Sequence, residues 1–97
     1  ANAVAKDRAL IEAQEKAFLD LAIYNAYEQL RAQGKIKDSS SVRAESANYR
    51  QDGATGAVDI YFNVDGKREK AVVVDTYGNY RVLKNHYDIN RDYENAM

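Results

Sequence analysis

Between Ala57 and Leu83 the chain alternates apolar and polar residues, and two glycine-bearing turns interrupt the alternation. Val58, Ile60, Phe62 and Val64 fall on one side of a strand, and Asp59, Tyr61, Asn63 and Asp65 on the other, because successive strand side chains point to opposite faces. Asp65-Gly66 is the dipeptide a two-residue hairpin requires, since both central residues of such a turn take positive φ. Ala71 to Asp75 reads as the returning strand and Gly78-Asn79 as a further turn. The pattern predicts an antiparallel meander with one face turned toward a core.

Upstream, residues Val4 to Gln33 read as one long helix. Alanine, leucine, glutamate, lysine and glutamine dominate, and no glycine or proline intervenes before Gly34, a natural C-terminal stop. Ile11, Phe18, Leu19, Ala22, Ile23, Ala26, Tyr27 and Leu30 follow the helical period and form an apolar stripe, which thins toward the start. A helix of about 28 residues is ~42 Å long, whereas strands of 8 to 10 residues reach only ~27–33 Å. The sheet therefore leaves the helix start uncovered, and residues 1–9 should be dispensable for folding.

The remaining segments complete a fold class. Val42 to Arg50 gives a first strand, Asp52-Gly53-Ala54-Thr55-Gly56 a loop, and Tyr80 to Ile89 a fourth strand. The expectation is an α+β domain, one long N-terminal helix packed on a four-stranded antiparallel meander sheet, because only that packing hides both apolar faces. It spans residues 1–97 as one domain, with an overhanging helix start (1–9), core helix (10–34), sheet (42–89) and polar tail (90–97). A length of 97 residues suits a single domain.

Composition narrows the function classes. Fourteen basic and fifteen acidic residues are interleaved and leave a net charge of −1, so no broad positive face is expected and nucleic acid is a poor partner. Without cysteine there is neither a disulfide framework nor a thiolate metal site. No apolar run approaches the ~20 residues of a membrane span. Ala1-Asn2-Ala3 in place of a methionine is what removal of a signal peptide or anchor leaves, and equally what a fragment expressed alone begins with. A secreted, periplasmic or membrane-tethered location is slightly favoured over the cytoplasm.

The order of helix and strands resembles the cystatin-like superfold. Thr55-Gly56 leading into Val58-Asp59-Ile60-Tyr61-Phe62, then Gly66-Lys67, then Ala71-Val72-Val73, carry the likeness over roughly Phe18 to Leu83, at the level of topology. The inhibitors of that superfold bear a Gln-x-Val-x-Gly loop and a later Pro-Trp contact. This chain reads Gln51-Asp52-Gly53-Ala54-Thr55-Gly56 at the first and has neither residue of the second. The resemblance thus implies a fold and not cysteine-protease inhibition. Val72-Val73-Val74-Asp75-Thr76-Tyr77-Gly78 is also similar to the Val-x-Val-Asp-x-x-Gly pattern in the last strands of PepSY-type domains.

Candidate chemistry is sparse. His86 is the only histidine, so no two-histidine metal site can form; as a general base it would need Asp88 or Asp75. Ser39-Ser40-Ser41 lacks the glycine-flanked elbow of a nucleophilic serine and reads as loop. Asp59, Asn63 and Asp65 superficially suit calcium, but Tyr61 stands where an oxygen ligand is needed and the bidentate glutamate is missing, so a solvated polar face is expected. Asp52 to Gly56 is too short for a phosphate loop, and Lys67-Arg68-Glu69-Lys70 reads as edge solvation. No catalytic residue, metal or cofactor is expected.

An interaction surface is better supported. Five of the eight tyrosines (Tyr49, Tyr61, Tyr77, Tyr80, Tyr87) lie on or beside strands, and tyrosine suits both strands and interfaces. Val72, Val73 and Val74 cannot all face the helix, so Val72 and Val74 should point outward beside Tyr61. Val82 or Leu83 would join them, according to the register of a hairpin at Gly78-Asn79. Tyr61, Val72, Val74, Tyr77, Tyr80 and Val82 are the expected partner-binding residues. The function expected is a non-enzymatic interaction domain binding a protein partner or itself, such as an inhibitor or accessory subunit of a secreted or membrane-tethered bacterial or phage system. The competing expectation is a ligand-binding or catalytic pocket between helix and curved sheet, lined by Tyr24, Tyr27 and Phe62.

Overall fold

A computed structural model of the chain describes residues 2–52, 55–83 and 85–89. The expected tail, 90–97, and the tip of the loop at 53–54 lie outside the described residues. Helix α1 (Asn2–Ala32) is followed by β1 (Val42–Asp52), β2 (Thr55–Val64), β3 (Lys67–Asp75) and the short β4 (His86–Asp88). The helix packs on one face of a four-stranded antiparallel sheet, an α+β fold.

Local chemistry sets the ends of the elements. Gly34, at φ 77°, closes α1 with the paired bonds of a Schellman cap: Lys35 N donates to Leu30 O at 2.9 Å and Gly34 N to Arg31 O at 3.0 Å. Asp65 and Gly66, at φ 53° and 87°, form the expected two-residue turn between β2 and β3, and Asn63 Oδ1 accepts from Gly66 N at 2.8 Å. Asp65 also clamps the start of β1: its Oδ1 accepts from Ser41 N and its own N donates to Ser41 O. Because the turn is so tight, pairing begins at Val64 with Lys67, and β3 takes in the charged segment 67–70 that the sequence placed outside the strand.

β1 owes its irregular sequence pattern to a bulge. Ala44 pairs with Phe62 and Ser46 with Tyr61, so Glu45 is the extra residue and the alternation changes phase there. Val42 and Ala44 face the helix before the bulge, and Ala47 and Tyr49 face it afterwards. The strand is interior, hydrogen-bonded on both sides.

The fourth strand departs from the meander. The sheet order is β3-β2-β1-β4, and β4 pairs with β1 through Ser46–Asp88, Ala47–Tyr87 and Asn48–His86. No hairpin forms at Gly78-Asn79. The chain instead crosses the helix side of the sheet, a displacement of about three strand spacings or ~14 Å. Burial drives that route: Tyr80 and Leu83 enter the core, and Tyr87 and Ile89 follow from the far edge. The aliphatic side chains expected to flank Val74 on an outer hairpin are consumed in this way.

The core lies between α1 and the inner sheet face. Leu19, Ala22, Ala26 and Leu30 of the helix meet Ala47 and Tyr49, Val58, Ile60, Phe62 and Val64, and Ala71 and Val73, with Phe18 and Ile23 packed at its margin. Alanine at 22 and 26 lets the helix backbone approach the strands closely. Gln29 Nε2 donates to Val72 O at 3.0 Å and so occupies one acceptor on the free edge of β3. The helix, 31 residues or ~46 Å long, outruns the sheet. Leu10 to Gln14 are exposed, and among the described side chains the first ties to the sheet region are Glu15, whose Oε2 accepts from Tyr87 OH at 2.8 Å, and Phe18.

Candidate functional site

The outer sheet face is built from the odd-phase residues of β2 and their neighbours. Val74 sits beside Ala57, Val72 beside Asp59, Lys70 beside Tyr61 and Arg68 beside Asn63. Val74 is 59% exposed, Val72 is half-buried, and Tyr77, just beyond β3, is 87% exposed. Tyr61 is half-buried beneath its own neighbours: the Arg68 guanidinium lies 4.4 Å from its ring centroid and the Lys70 ammonium 6.0 Å. Lys67 pairs instead with Glu69 at 3.5 Å, so the basic residues of this segment are divided between an aromatic ring and a carboxylate.

Two of the six expected contact residues, Tyr80 and Val82, are elsewhere, as is Leu83, the alternative to Val82. Tyr80 is buried, edge-on to Phe18 with centroids 6.0 Å apart, and its hydroxyl accepts from Asn25 Nδ2 at 3.3 Å. Leu83 is core and Val82 packs against it, because the crossing segment runs on the helix side. The apolar outer surface is therefore reduced to Val72 and Val74, with Tyr61 at its margin and exposed Tyr77 in the turn beyond the strand.

Asp59 does not lie on a solvated face. It is 5% exposed, held between β1 and β3 in the middle of the sheet, and its Oδ2 takes Arg50 Nε at 3.1 Å while Oδ1 has no hydrogen-bond partner. Central placement explains this: both flanking strands and the overlying Arg50 remove water that an edge residue would keep. The arrangement ties β1 to β2 and offers no set of converging oxygens. Among the described residues no group of three or more histidines, aspartates or glutamates could hold a metal ion.

A second buried carboxylate stands on the inner face at the end of β3. Asp75 is 3% exposed; its Oδ2 accepts from Tyr80 N at 3.1 Å and lies 3.3 Å from Tyr49 OH, while Oδ1 has no hydrogen-bond partner. Tyr49 OH also lies 3.1 Å from Gln51 Oε1, so its single proton serves one of two acceptors. The Tyr49 ring covers Gly56, where a Cβ would come within 2.5 Å of the hydroxyl oxygen. Burial pushes the Tyr49 phenol up from its ordinary value, and the Asp75 charge and hydrogen bond add to the shift. Tyr80 is raised as well, by burial first and Asp75 last, with the Asn25 bond opposing. This cluster caps the turn that sends the chain across the sheet.

Of the carboxylates proposed for His86, only Asp88 shares its face, and the proposed pocket does not form as expected. His86 is exposed and shares the outer face with Asp88 on β4, at the opposite edge of the sheet from Asp75. The three residues expected to line a pocket diverge: Phe62 is fully packed in the core, Tyr27 only borders it, and Tyr24 is 61% exposed. Ile11, expected at the start of the apolar stripe, is 47% exposed because it lies where the helix outruns the sheet, and Leu10 and Leu21, outside that stripe, are exposed as well. No helix among the described residues is long and apolar enough to cross a membrane. The chain matches no protein-family model, no curated protein and no solved structure.

Proposed function

We propose that this domain is a non-enzymatic protein-interaction module whose contact surface is the outer end of β3 and the turn after it. The supporting observation is that Val74 stands open to water on a strand whose other face is already buried core, with exposed Tyr77 in the turn just beyond it. Apolar surface of this kind gains ~25 cal/mol per Å² when covered, and a tyrosine beside it supplies contact area at little entropic cost. The small α+β body is consistent with a binding role. The order of a long helix and then three antiparallel strands supports the cystatin-like likeness over α1 and β1 to β3 alone, since β4 pairs with β1 rather than β3 and leaves the meander.

A photo-crosslinking amino acid at position 77 tests this reading. It should capture a partner from an extract of the source cells, and Val72→Thr with Val74→Thr should abolish that product while leaving the circular dichroism spectrum unchanged. Equal capture from the exposed Lys37 would sink the proposal, as would an unfolded double variant, because the valines would then be structural.

A further inference from the structure

We infer that the partner of this surface is an extended peptide segment that joins the free edge of β3 as an added antiparallel strand, with apolar side chains opposite Val74 and Val72 and acidic ones opposite Lys70 and Arg68. The inference rests on the reading of the end of β3 as a contact surface and supplies the chemistry of what it contacts.

Backbone geometry opens the edge. β3 stands at the end of the sheet order, and among the described residues no strand pairs with its outer side. The two-residue turn at Asp65-Gly66 makes Val64 and Lys67 a hydrogen-bonded pair, and in an antiparallel ladder the N–H and C=O of one residue share a direction that alternates along the strand. Lys67, Glu69, Ala71 and Val73 therefore bond to β2, while Arg68, Lys70, Val72 and Val74 turn their backbone groups outward. Gln29 fits the same phase, since its side-chain amide donates to Val72 O at 3.0 Å. That amide is chemically the donor a peptide N–H is. Gln29 thus stands where the N–H of an added strand would bond.

Side chains choose the occupant. The same four residues present their side chains on the outer face, two basic and then two aliphatic. Arg68 and Lys70 are exposed and rest against the Tyr61 ring, at 4.4 and 6.0 Å from its centroid. The nearby carboxylates are engaged elsewhere. Glu69, of opposite strand phase, takes Lys35 at 3.6 Å and Lys67 at 3.5 Å, and Asp59 is buried beneath Arg50. Arg68 and Lys70 therefore set the sign of that half of the edge.

Charge on an edge ordinarily keeps other strands away. Charge of one sign makes the edge selective, because a strand carrying carboxylates gains what a neutral or basic one loses. A second copy of β3 offers Arg68 and Lys70 again and no acidic residue on that face, so it is not the occupant. Read from its N-terminus, an antiparallel strand that fits is apolar-x-apolar-x-acidic-x-acidic. Seven such residues span ~23 Å, and each outward residue of β3 can exchange two backbone hydrogen bonds with the one opposite. Backbone pairing gives the affinity and the alternate side chains give the specificity.

Amide NMR of the whole chain, titrated with the acetylated and amidated heptapeptide Val-Thr-Val-Thr-Glu-Thr-Glu, tests the inference. The peptide should bind with a Kd below about 1 mM and shift the amides of Arg68, Lys70, Val72 and Val74 most. Methylating the backbone nitrogen of its third residue, which replaces Gln29 at Val72 O, should weaken binding at least about tenfold; methylating the second, which points away, should not. Gln29→Ala removes the competing donor and should tighten binding about fivefold. Arg68→Glu with Lys70→Glu should lose this peptide and bind the version with lysine in place of both glutamates. A peptide that fails to bind at about 1 mM, ignores which nitrogen is methylated, or binds the charge-reversed chain equally well overturns the inference. The crosslink at position 77 reports on the contact surface separately: a product indifferent to Arg68→Glu with Lys70→Glu keeps the surface and removes the acidic strand.

Discussion

The two faces of the sheet each bury one aspartate and treat it differently. On the inner face Asp75 is held by neutral donors, a tyrosine hydroxyl and a main-chain N–H, beneath aromatic rings. On the outer face Asp59 is held by the guanidinium of Arg50, whose side chain is itself two-fifths exposed. The inner carboxylate fixes where the chain goes next, since its bond to Tyr80 N closes the turn leading across the sheet. The outer one ties together two strands already paired by their backbones. Burial alone therefore does not define a role; the donor does.

Removing apolar volume from the inner face should have the largest effect. Ile60→Ala, at a fully buried central position, should cost about 2–5 kcal/mol in denaturant unfolding. A loss below about 1 kcal/mol would mean that the inner and outer faces have been exchanged. On the outer face Arg50→Met leaves the Asp59 charge unpaired. A fully buried partner would cost about 3–5 kcal/mol, and the exposure of Arg50 lowers the expectation to about 1–3 kcal/mol. Combining it with Asp59→Asn should return part of that loss; a double variant no better than the single would show that the pair is not what Arg50 contributes.

The smallest effect is confined to high pH and to the inner face. Tyr49 and Tyr80 keep their phenol protons to higher pH in the native state than in the unfolded chain, so unfolding releases protons above the ordinary value of 10.0. Their contribution to stability is complete below about pH 10 and declines as pH climbs through the raised native values. Phenolate absorbance followed alongside circular dichroism should show that Tyr49→Phe and Tyr80→Phe each remove a phenol that ionises only as the fold is lost. Variants that leave the late-ionising absorbance unchanged would break the contrast between the faces.

Much of this architecture was legible from local chemistry. Gly34 ends the helix and Asp65-Gly66 forms the hairpin because positive φ is a property of the residues themselves. The apolar set Val58, Ile60, Phe62, Val64 faced the core as alternation requires, and the long helix outran the strands as their rise per residue requires. These features need only a few neighbouring residues to be specified.

What the tertiary structure decided was pairing and burial over long separations. The bulge at Glu45 changes the phase of β1, so a strand that is central reads as irregular. Asp59 looks solvated in an alternating pattern and is buried because two other strands enclose it. Val74 has no aliphatic neighbour from β4, because Tyr80, Leu83, Tyr87 and Ile89 are buried along the path to the far edge of the sheet rather than beside β3. The sequence determined the helix, the strands on either side of Asp65-Gly66 and the hairpin that joins them, but not that residues 80–83 cross the sheet instead of extending it. Which edge the last strand joins depends on the total surface hidden from water, a sum over the whole chain that no local pattern contains.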